Sequence, residues 1–219
     1  ADPLMGVSAP LLSAAGVIAA VVAMMVDGRR AVAIAVVFLA AGLAPTAATF
    51  GGAPGAAMLG VSAIAAVLLA WGGRFGGRIL PWLTPLDPTI PAFAPADRLF
   101  GPRSSRAFGA AAAIPVASWV SFNVPVGQIA VSEGLLFPIA YAWTCGVVRL
   151  LLARTVEDLG VGVATVGIAT GTAWLLRTGG DSFPGAALAC VVAPLAAFLV
   201  GWLNGRTTRR AVPHVEADA

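Results

Sequence analysis

Runs of about 17 to 20 apolar residues, separated by short polar or Gly/Pro-rich breaks, make up most of the chain, and each approaches the length a helix needs to cross a bilayer. Seven such runs stand out: Ser8–Val26, Ala31–Thr49, Gly55–Trp71, Ala107–Val126, Gly134–Leu152, Leu159–Leu176 and Gly185–Leu203. None alternates with the period of two that a membrane strand requires, so the pattern predicts an all-α, polytopic bundle of seven transmembrane helices. The third and sixth runs are short and call for little tilt or a locally thinner bilayer. No basic region precedes the first run, so it reads as a span and not as a cleaved signal peptide.

The breaks carry the orientation. With the N-terminus outside, alternate connections collect Arg29, Arg30, Arg74, Arg78, Arg98, Arg103, Arg106, Arg149 and Arg154 on one side, and the tail adds Arg206, Arg209 and Arg210. Arg177 alone falls on the other side. Basic residues are retained on the cytoplasmic face. The C-terminal tail, residues 204–219, is therefore expected in the cytoplasm, and the host compartment is expected to be a bacterial cytoplasmic membrane. Trp71 and Trp202 are expected at the cytoplasmic interface, and Phe50 and Trp174 at the outer one.

Composition agrees and removes alternatives. Residues are 59% hydrophobic and only 11% charged, against about 25% charged in an average soluble domain. Two cysteines exclude a disulfide-stapled module. Every one of the 13 basic residues is Arg. With no Lys, neither a phosphate loop of the Gly-Lys-Ser/Thr kind nor a retinal Schiff base can form.

Most connections are tight, but residues 72–106 form a long cytoplasmic loop. It starts with four glycines and carries Pro81, Pro85, Pro88, Pro91, Pro95 and Pro102, a density that favours extended segments over helix. Trp82, Ile90, Phe93 and Phe100 lie between the prolines. An apolar loop of this kind lies on the bilayer, packs under the bundle or docks on a partner. The third and seventh runs both place a double Gly before Pro-Gly-Ala-Ala and close on Trp then Arg. This similarity suggests a three-one-three arrangement with parallel halves.

Chemistry is sparse. The single His, His214, sits in the tail, which excludes bis-histidine haem ligation within the membrane and leaves no His/Cys zinc set. No cofactor or metal is expected. Cys145 and Cys190 read as small core residues. The centres of all seven runs lack ionisable groups, which argues against a carboxylate proton relay. Arg149, near the end of its run, is expected to snorkel to the interface.

Two polar clusters remain. Arg149, Arg154, Glu157 and Asp158 surround the fifth connection, where they could bind a phosphorylated headgroup, act on one, or simply form an interfacial ion-pair turn. Ser118, Ser121, Asn123 and Thr144, with Gln128 nearby, could line a pathway where Pro45, Pro115, Pro138 and Pro194 loosen the helical ladder, or could bond to their own backbones. Gly167 and Gly171 mark a close helix–helix seam, within the chain or with a partner. No catalytic residue is assigned.

Three readings of function follow. The first is a non-catalytic membrane subunit that anchors or scaffolds other subunits, or a homo-oligomer, among membrane lipids. The second is a channel or uncoupled transporter for a small neutral or anionic solute. The third is a lipid-modifying enzyme at the cytoplasmic interface. Nothing in the sequence points to nucleic acid.

Overall fold

The computed structural model describes residues 3–28, 30–76, 102–124, 133–178 and 191–203. Within them lie helices α1 (Pro3–Met25), α2 (Ala31–Gly76), α3 (Pro102–Asn123), α4 (Glu133–Leu151), α5 (Val156–Thr178) and α6 (Val191–Leu203). A break divides α2 into two arms, so the described residues hold seven helical segments and no strand. Three segments are long and apolar enough to cross a membrane: Ala31–Ala48, Gly52–Ala70 and Val156–Leu175, with mean hydropathies of 2.2, 2.0 and 1.2.

The break in α2 sits where the Gly/Pro-rich turn was expected. Gly52 has φ 62° and ψ −163°, a conformation essentially confined to glycine. Beyond it the chain folds back, and a Cβ placed on Gly55 would lie 2.8 Å from the carbonyl oxygen of Ala47. Gly52→Ala is expected to destabilise the protein by about 1–3 kcal/mol, read as a lower midpoint in detergent-solubilised thermal unfolding.

Buried residues follow helical periods. On α1 they are Gly16, Ala19, Ala20, Ala23 and Met24, and on the first arm of α2 they include Val32, Ala35, Val36, Leu39 and Leu43. These stripes join α1, the first arm of α2, α4 and α5 in a four-helix core. Packing α3 against α4 and α1 extends it on one edge. On the other edge α6 meets α5 at Gly160–Val200 and Gly167–Val192, and meets the second arm of α2 at Gly201–Ala70.

Small residues set these distances. A Cβ on Gly42 would fall 2.5 Å from Ala19 Cβ, and one on Gly109 would fall 2.6 Å from Val148. Close backbone approach gains dispersion contacts along the whole seam. Large apolar chains point outward instead: Ile18, Phe38, Ile64, Leu68, Phe108, Trp119 and Leu195 are exposed.

One sequence expectation is corrected here. The helix of α3 begins at Pro102 and not at Ala107, so Arg103 and Arg106 belong to its first turns and not to the loop. Proline is tolerated at a first helical position, where its missing N–H has no intrahelical role. Trp202 is buried at the end of α6, where Gly201 brings the helix against Ala70. Trp174, by contrast, is exposed near the end of α5, with the Arg177 guanidinium 5.9 Å from its ring centroid.

Candidate functional site

The end of α1, the starts of α3 and α5 and the end of α4 converge on a group of charged side chains. Asp27 follows α1, Arg103 and Arg106 lie in the first turns of α3, Arg149 occupies the last turn of α4, and Asp158 the first turn of α5. Arg106 donates to Asp27 through Nη1 and to Asp158 Oδ1, 2.8 Å away, through Nη2. Arg149 Nη2 donates to the same Asp158 oxygen at 3.0 Å. Arg103 lies at the exposed margin, with its Nε 3.9 Å from Asp27. Arg106, Arg149, Asp27 and Asp158 together carry no net charge.

Arg149 also completes α1. A helix leaves its last four carbonyls without intrahelical donors. Val26 N–H returns to Val22, and Arg149 then donates to the carbonyls of Ala23, Met24 (3.0 Å) and Val26 (2.7 Å). A guanidinium at a helix C-terminus is favourable to the dipole as well as to the open carbonyls. Of its N–H groups, only Nε is buried without a partner among the described residues. The expectation that Arg149 snorkels is therefore overturned: its side chain is 2% exposed. Carbonyls and a carboxylate within the bundle replace the water it would have reached.

Thr155 caps α5, accepting from Asp158 N–H at 3.2 Å, while Asp158 reaches back toward the Arg154 N–H at 3.4 Å. Serine or threonine followed three residues later by an acid is a capping-box pattern, and here its acid also serves the ion pairs. Asp158 thus accepts from two guanidiniums and one backbone amide. It thereby ties the start of α5 to α3 through Arg106 and to α4 through Arg149. Glu157, one residue away, is half-buried and makes no ion pair among the described residues.

Of the sequence-selected cluster, the structure brings Arg149 and Asp158 together and ties the Arg154 backbone to them. Arg106 and Asp27 complete it and were missed. Their signal was available, since both flank apolar runs on the Arg-rich side, but no spacing rule links positions 79 residues apart.

The second cluster does not assemble. Ser121 donates to Ser118 O at 2.8 Å, Asn123 to Trp119 O at 2.8 Å and Thr144 to Ala140 O at 2.8 Å. Thr165 and Thr172 bond in the same way to Val161 and Ile168. Thr144 stands near the level where Tyr141 donates to Ala110 O at 3.0 Å, whereas Ser118, Ser121 and Asn123 lie toward the far end of α3. Gln128, Cys190, His214 and the candidate docking residues Trp82, Ile90, Phe93 and Phe100 lie outside the described residues, as does the segment needed to compare the proposed repeat. Gly167 faces Val192 of α6, where a Cβ would lie 2.8 Å from the valine, so its seam lies within the chain; Gly171 is buried on the same helix. Cys145 is buried in the core.

No protein-family model, curated protein or solved structure matches this chain.

Proposed function

We propose that the chain is a seven-span integral protein of a bacterial cytoplasmic membrane, with its N-terminus outside and its C-terminus in the cytoplasm, serving as a non-catalytic subunit that holds partners in a membrane complex. The observation that carries this reading is the closed charge cluster. Its carboxylates and guanidiniums are engaged with one another and with the carbonyls of α1, so the polar interior of the described bundle is organised for fixed architecture. The outward-facing Phe, Trp, Ile and Leu side chains suit a lipid or protein environment. The proposed direction is supported by Arg30, Arg103, Arg106, Arg149 and Arg154, which gather at one end of the helices, while Arg177 stands at the other.

Purification of the tagged full chain from its native membrane in mild detergent tests the role. The expected product is an assembly much larger than the 21.9 kDa chain and its micelle, with partner subunits in fixed stoichiometry. A stable, monodisperse monomer would refute the subunit role. A green fluorescent protein fused at the C-terminus is expected to fluoresce, and an alkaline phosphatase fusion there to be inactive; the reverse pair would overturn the orientation.

A further inference from the structure

We draw no further inference here: the strongest candidate, the apolar groove between α5 and α6 walled by Leu159, Val163, Leu195 and Leu199, carries nothing, because nothing in the structure shows what covers it.

Discussion

Asp158→Ala is expected to lower unfolding stability by about 3–5 kcal/mol, the range found when one partner of a buried ion pair is removed. The loss would come less from the missing attraction than from what remains: Arg106 and Arg149, both buried, would face each other without the shared carboxylate. Replacing a whole buried ion pair by well-packed apolar residues is often neutral or stabilising, whereas breaking one is costly. Asp158→Asn, which retains an acceptor oxygen but not the charge, should fall between wild type and the alanine variant. Glu157→Gln, one residue away, should stay within about 0.5 kcal/mol. Reversible unfolding of the detergent-solubilised chain, followed by circular dichroism, reads all three. Equal losses at 157 and 158 would show that the effect comes from general charge at the helix start and not from the cluster.

Gly42→Leu is expected to disrupt the α1–α2 seam at a cost of about 1–3 kcal/mol, the range usual for overpacking. At this position the obstruction is backbone as well as side chain: a Cβ would lie 2.5 Å from Ala19 Cβ and 2.8 Å from the Ala15 carbonyl oxygen. Neither atom can rotate away. Even Gly42→Ala must therefore separate the helices, with leucine worse than alanine in a graded series. Gly60→Ala provides the internal reference, because nothing lies within 4 Å of its Cβ position; it should gain slightly from the better helix propensity of alanine. The same melts, run on the series, check the order Gly60→Ala, wild type, Gly42→Ala, Gly42→Leu from most to least stable.

The two sites differ in how far the sequence exposed them. Gly42 is one of 26 glycines in a chain rich in alanine, and nothing local distinguishes it from Gly60. Which glycine is pressed against a neighbour depends on the rotation of each helix about its axis, and hence on every packed pair together. Asp158 was legible as part of a charged turn, because its neighbours Arg149, Arg154 and Glu157 are close in sequence. Its two Arg partners were only half legible. Arg149 was found but assigned to the interface, since a long side chain near a helix end usually reaches water. Arg106 was placed in a loop, since the prolines before it suggested that no helix had begun.

What the sequence determined by itself was the helical character of the described residues, the apolar runs, and the Gly/Pro turn that Gly52 now makes. Each depends on local properties: residues of one kind sustained over a helix length, or a backbone conformation that only glycine tolerates. Tertiary structure decided which charges meet, which hydroxyls bond within their own helices, and which glycines set the seams. It closed Asp27, Arg106, Arg149 and Asp158 into a neutral group because four helix ends converge there, and charges withdrawn from water are held stably only where partners complete their shell. Hydrophobic periodicity fixes which residues favour the interior but carries no information about which helix will stand opposite, so that pairing emerges only when all the helices pack at once.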